Sequence, residues 1–194
     1  YTGQGNDMNR YLSRSFDLST VAEDQPLILS LDAWFKIEAD WDYLYIEART
    51  GEDDYQRLMP NDKDSAADKL SVMPSQKGHE GAGALPGLTG RSGDLDGDGK
   101  VETAPGCNPD ADKALAEDRV GQQVVDPCET ANWVKVEFDL EAYRGQIMDF
   151  RLHYFADGAA VEDGALVDNI RLDAIGYLED FESSKLAGWS NEGF

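Results

Sequence analysis

Residues Leu27 to Thr50 constrain the fold more than any other stretch of this chain. Leu27, Leu29, Leu31, Ala33, Phe35 and Ile37 share one parity, and Ser30, Asp32, Lys36 and Glu38 take the other. A period of two with one apolar side is the pattern of a strand with one dry face. A polar corner follows at Glu38-Ala39-Asp40-Trp41-Asp42. Leu44, Ile46 and Ala48 then alternate with Tyr43, Tyr45, Glu47 and Arg49. The two runs read as a hairpin that must bury one face on another layer. Asp42 has the parity of Leu44 and Ile46, so it stands at the edge of the buried side and needs a partner there.

The same alternation recurs downstream. Val134, Val136, Phe138 and Leu140 form one inward row, Met148, Phe150, Leu152 and Tyr154 a second, and Leu166, Asp168, Ile170 and Leu172 a third. Upstream, Leu12, Phe16 and Leu18 mark a strand, with Arg14 and Ser15 placed outward. At least six strands and little helix predict an all-β fold, an antiparallel β-sandwich of jelly-roll type. A closed barrel is the rival; a long insertion at 94–130 is accommodated more readily at one end of a sandwich. The expected organisation is a sandwich over 1–176 carrying that insertion. Residues 177–194 add a C-terminal strand or begin the next segment.

The chain has 194 residues, 17 basic and 39 acidic, for a net charge of -22. That charge repels nucleic acid and anionic membranes and suits divalent cations. No apolar run is long enough to span a bilayer. The opening Tyr1-Thr2-Gly3 reads as an interior piece of a longer protein.

The most specific motif is Asp94-Leu95-Asp96-Gly97-Asp98-Gly99-Lys100-Val101-Glu102. Asp94, Asp96, Asp98 and Glu102 occupy loop positions one, three, five and nine of a calcium loop of EF-hand type. Gly99 stands at position six, and the Lys100 carbonyl at seven. Alternate carboxylates converge only if the backbone turns sharply, which the glycine permits. Pro105 stands where the bidentate acid belongs, so either the site is weak or Asp110 or Asp112 closes it; the competing reading is an acidic turn without an ion. A second, dispersed candidate joins Asp7, Glu38, Asp40, Asp42 and Asp168, if the first, corner and last segments meet at one end of the sandwich. Against it, Asp168 caps a backbone turn and Asp42 pairs with an arginine.

Cys107 and Cys128 flank a Gly-, Asp- and Pro-rich stretch. They read as a disulfide contributing roughly 3 kcal/mol, or as two free thiols in a reducing compartment. Enzyme signatures are poor. His79-Glu80 lacks a second histidine at zincin spacing, and His153 has the parity of a solvated strand residue. Trp34, Trp41, Tyr43 and Tyr45 serve either as sugar-stacking platforms or as ordinary strand packing.

Gly5-Asn6-Asp7, the run Ile37 to Tyr43, Gly87-Leu88-Thr89-Gly90, Asp139 to Gly145, Arg151-Leu152-His153-Tyr154 and Val167-Asp168-Asn169-Ile170 occur in this order. As a set they resemble the non-catalytic sandwich that follows the protease domain in the immune inhibitor A family of secreted bacterial metallopeptidases. That sandwich is similar in architecture to MAM-type adhesion domains. The resemblance covers Gly5 to about Leu172, and the 94–130 insertion is its largest departure. It implies an extracellular, calcium-supported accessory domain whose partner is the protease domain of the same parent chain, or a protein or glycan surface. By position, Glu38, Asp42 and Asp168 match acidic positions of the family pattern.

Overall fold

The computed structural model describes residues 1–39, 41–61, 86–93, 131–183, 186 and 188–194. The chain is an all-β sandwich of two antiparallel sheets. Its strands are β1 (Met8–Asp17), β2 (Ile28–Lys36), β3 (Tyr43–Thr50), β4 (Gln56–Arg57), β5 (Val134–Asp139), β6 (Ile147–Ala156), β7 (Gly164–Leu172), β8 (Tyr177–Glu179) and β9 (Ser190–Glu192). One sheet has the order β4-β3-β6-β1-β9, the other β5-β2-β7-β8. The inward rows of the two sheets meet in one core that includes Leu29, Leu31, Phe35, Leu44, Ile46, Phe138, Phe150, Leu152 and Ile170. Among the described residues, no helix is long and apolar enough to cross a membrane.

The hairpin expected of β2 and β3 does not form. β2 pairs with β5 and β7, while β3 pairs with β4 and β6, so the corner carries the chain from one sheet to the other. The physical reason is economical. Two one-sided strands in a single sheet still need a second layer, whereas placed in facing sheets they bury each other's dry faces. Residues 86–93 strap the corner. Gly90 O accepts from Ile37 N, Leu88 exchanges both backbone bonds with Leu44, and Ser92 N donates to Phe35 O.

β3 is buried on both faces, which alternation did not indicate: Tyr43, Tyr45 and Glu47 are as covered as Leu44 and Ile46. The strap explains part of this, since a Cβ on Gly87 would lie 2.7 Å from the Tyr45 ring.

Arg14 is a second correction. It shares the inward parity of Leu12 and Phe16, and its guanidinium lies 4.5 Å from the Tyr177 ring centroid and 5.9 Å from that of Trp189. Residues 177–194 add an edge strand to each sheet, β8 on β7 and β9 on β1. They close the gap between the layers over this arginine, which would otherwise face an open edge.

Candidate metal centre

Glu38 and Asp42 bracket the corner, and Asp157 lies just beyond the end of β6. Strand register brings them together. Tyr43 pairs with Phe155 and Met8 with Ala156, so the start of β3, the start of β1 and the end of β6 meet at one rim. One carboxylate oxygen from each of Glu38, Asp42 and Asp157 lies within 4.8 Å of the others. The corner is held by Glu38 O, which accepts from Asp42 N at 2.9 Å and from Trp41 N at 3.3 Å. The Thr89 hydroxyl also donates to this carbonyl, at 3.3 Å.

Asp42 is only 2% exposed. Its Oδ1 accepts from Asp157 N at 3.1 Å. Burial pushes its carboxyl up to about 6, aided by the charges of Asp157 and Glu38 and opposed by backbone hydrogen bonds from the same two residues. Burial and the charges of Asp157 and Glu162 also raise Glu38. The Oε2 atom of Glu38 is enclosed and has no hydrogen-bond partner. Three crowded carboxylates, one buried and another with an enclosed and unsatisfied oxygen, are stabilised by a proton or a cation among them. An all-oxygen set of acidic donors and nearby carbonyls fits a hard divalent ion, and Ca2+ in particular accepts such ligands in flexible geometry.

The N-terminal segment joins this rim. Asp7 has φ 53°, a conformation that non-glycine residues seldom adopt, and its N–H donates to Asp157 O at 2.6 Å. A Cβ on Gly158 would come within 3.2 Å of Asp7 Oδ1, which puts the Asp7 carboxylate against the Asp157-Gly158 backbone.

Asp168 is placed elsewhere. It lies within β7 opposite Asp32, and its Oδ1 accepts from Asn169 N at 2.7 Å. Sequence parity gives no hint of Asp157. The signal that finds it is register: it follows directly on Ala156, the partner of Met8, and Asp7 directly precedes Met8. Asp40, the loop residues Asp94, Asp96, Asp98, Lys100 and Glu102, and the pair Cys107 and Cys128 lie outside the described residues.

A second buried carboxylate, Glu47, sits on the outer face of β3 and is 4% exposed. Arg151 Nε donates to its Oε2 at 2.5 Å, His153 Nδ1 lies 3.5 Å from the same oxygen, and Arg57 Nε is 3.9 Å from Oε1. Burial pushes this carboxyl up, but the His153 and Arg151 contacts outweigh it and hold Glu47 below the usual range. Aromatic rings enclose the group. His153 stacks on Tyr11 at 4.5 Å, and Arg57 covers Tyr45 at 3.9 Å. His153 is therefore not the solvated residue its parity suggested: its side chain is 12% exposed and engaged on both sides.

No protein-family model matches the chain. It is similar to the pre-pro-metalloprotease PrtV from two strains of Vibrio cholerae serotype O1, with 24% identity over 176 residues. The matched region is 91% of this chain and spans about 13% of the length of those relatives.

Proposed function

We propose that this chain is a non-catalytic accessory domain of a secreted metallopeptidase, stabilised by calcium at the Glu38–Asp42–Asp157 rim. The reading rests on one observation above all: a nearly fully buried aspartate shares its site with two more carboxylates and an enclosed, unsatisfied glutamate oxygen. A cation there offsets a repulsion that otherwise opposes folding. Because the unfolded chain has no such site, ion-binding free energy becomes folding free energy.

The similarity to a small part of a metalloprotease precursor supports the parent context. In that context the sandwich packs beside the protease domain of its own chain, or holds a substrate or a surface for it, outside the cell. The loop from Asp94 to Glu102 is a second calcium candidate, on the sequence pattern alone.

The test is thermal unfolding of the metal-free protein with and without added CaCl2, repeated on Asp42→Asn. Calcium is expected to raise the melting temperature of the parent protein and to raise that of the variant less. A melt indifferent to calcium and to EDTA would sink the cation reading. Failure of the domain to associate with its protease domain, or to alter that domain's activity or stability, would sink the accessory reading separately.

A further inference from the structure

The outer face of the β5-β2-β7-β8 sheet carries a row of apolar side chains where a solvent-facing sheet ordinarily shows polar ones. Trp34 is paired with Leu166 across β2 and β7. Val134 pairs with Ala33 at the last position of that ladder, so Trp133 leaves the end of β5 beside the Trp34 position. Trp34 and Leu166 thus lie side by side at a strand spacing of about 4.8 Å, with Trp133 at the adjoining end of β5. Trp133 is 47% exposed. Trp34 is half-buried, and its indole is fixed by Nε1 donating to Ala131 O at 2.8 Å.

Hydrogen-bonding groups flank this row. One step along, Lys135 Nζ lies 3.3 Å from Asp32 Oδ1, and Asn169 Nδ2 donates to Asp32 Oδ2 at 2.9 Å. Asn169 reaches this face because β7 is irregular there: the pairing with β2 shifts between Ser30 and Asp32, and Asn169 has φ 49°. Such a bulge re-aims a side chain. Asparagine is among the side chains that tolerate this left-handed conformation. On the other side of the row, Lys36 pairs with Glu162 at 3.4 Å and Asp163 at 3.2 Å.

We infer that this face is a binding platform for a neutral, β-linked hexopyranose chain, whose apolar ring faces lie on Trp133 and Trp34 while hydroxyls bond to Asp32, Asn169 and Lys135. The assignment goes beyond the cation reading and does not depend on it. Three features select the occupant. An open, flat row takes a ribbon laid on it, with hydroxyls at its edges meeting the polar groups on either side. The lysines beside the row are paired to carboxylates that outnumber them, which disfavours anionic glycans. A single row of three apolar side chains offers little area beside the ~800 Å² per partner that a stable protein interface buries.

The experiment is titration of the intact chain with cellohexaose and with chitohexaose, followed by tryptophan fluorescence and calorimetry in calcium-containing buffer. Saturable binding with a fluorescence shift is expected for at least one of the two. Trp133→Ala, at an exposed position, is expected to weaken it about tenfold. Asn169→Ala should weaken binding as well, and Asp168→Asn much less. The reading is overturned if neither hexaose binds, if Trp133→Ala binds as tightly as the parent, or if only a lysine-rich peptide binds at this face. Circular dichroism confirms the fold of each variant, so a loss of binding is not mistaken for unfolding.

Discussion

Asp42 and Glu47 stand five residues apart, one just ahead of β3 and the other within it, and both are almost fully buried. Their surroundings are opposite. Glu47 faces Arg151, His153 and Arg57, and its carboxyl is held down. Asp42 faces Glu38 and Asp157, and its carboxyl is pushed up to about 6. Burial disfavours the charged form in both cases, so burial alone does not separate them. What separates them is whether the chain supplies the counter-charge itself. At Glu47 it does, from strands on either side of β3. At Asp42, register gathers acids from the corner and from beyond β6, and the described residues around it bring more acid. One site is complete within the protein; the other is the site proposed to take a cation from solution.

The strongest way to break this comparison is to remove Glu47. Glu47→Ala leaves Arg151 and His153 half-enclosed without their acceptor. The expected loss is about 3 kcal/mol, or a melting temperature lower by roughly 8 °C by calorimetry. A loss below about 1 kcal/mol would make Glu47 an ordinary surface ion pair.

Acid titration of stability sharpens the same contrast, because the two groups act with opposite sign. Asp42 has a raised folded pKa, so without metal the folded state binds the extra proton between the unfolded value of 3.8 and about 6. Its contribution to stability is present below that window and is lost as pH rises through it, by about 3 kcal/mol for a shift of about two units. Glu38 titrates with it, so the slope belongs to the cluster. Glu47 has a lowered folded pKa, so its contribution is present above the unfolded value of 4.5 and is lost as pH falls through the folded one. Denaturant unfolding of the metal-free protein from pH 4 to 7 is expected to show stability falling with pH. Calcium should flatten that slope, and Asp42→Asn should abolish most of it. A metal-free slope of the opposite sign would contradict the assignment.

A smaller effect separates Asp157 from Asp168. Asp157→Asn removes one of three converging carboxylates and is expected to weaken calcium binding about tenfold, or about 1.4 kcal/mol, by calorimetric titration. Asp168→Asn, on the opposite sheet beside Asp32 and Asn169, should leave calcium affinity unchanged. Equal losses in both variants would show that the ion is held elsewhere.

These residues also mark where reading the chain alone ran out. Alternation identified β2, β3, β5, β6 and β7 and most of the inward faces that fill the core, because a period of two reports which way a side chain points; in β7 the irregular pairing breaks the period, so Ile170 and Leu172 face in while Leu166 and Asp168 lie across from the outward Trp34 and Asp32. Alternation carried no information about which strands lie side by side. Hence β2 and β3 looked like a hairpin, and Glu38 and Asp42 were grouped with Asp168 rather than with Asp157. The closeness of Glu38 to Asp42 was legible because the two bracket one short corner of the sequence. Cover over an outer face was invisible for the same reason: nothing in Tyr43, Tyr45, Glu47 or His153 shows that rings and a strap from elsewhere in the chain enclose them.

That strap makes the last and smallest test, and it bears on whether the two sites are independent. Gly87 lies over Tyr43 and Tyr45, and a Cβ there would meet two atoms of the Tyr45 ring at 2.7 Å. Tyr45 in turn lies beneath Arg57 and beside His153, both partners of Glu47. Two residues along the same strap, Thr89 donates to the carbonyl of Glu38. Gly87→Ala therefore forces either the ring or the strap to shift, at an expected cost of about 1 kcal/mol. If the ring yields, only the Glu47 network loosens, and calcium affinity stays at the parent value. If the strap lifts, the Thr89 contact goes with it, the corner loses a constraint on Glu38, and calcium binding weakens as stability falls. Both elements are held: the Tyr45 ring is confined between Arg57 and its stacked neighbour Tyr43, and the strap is anchored by backbone bonds at Leu88 and Gly90. Calcium titration of Gly87→Ala distinguishes the two, and an unchanged affinity would mean that the buried ion pair and the acidic rim operate separately despite sharing one covering segment.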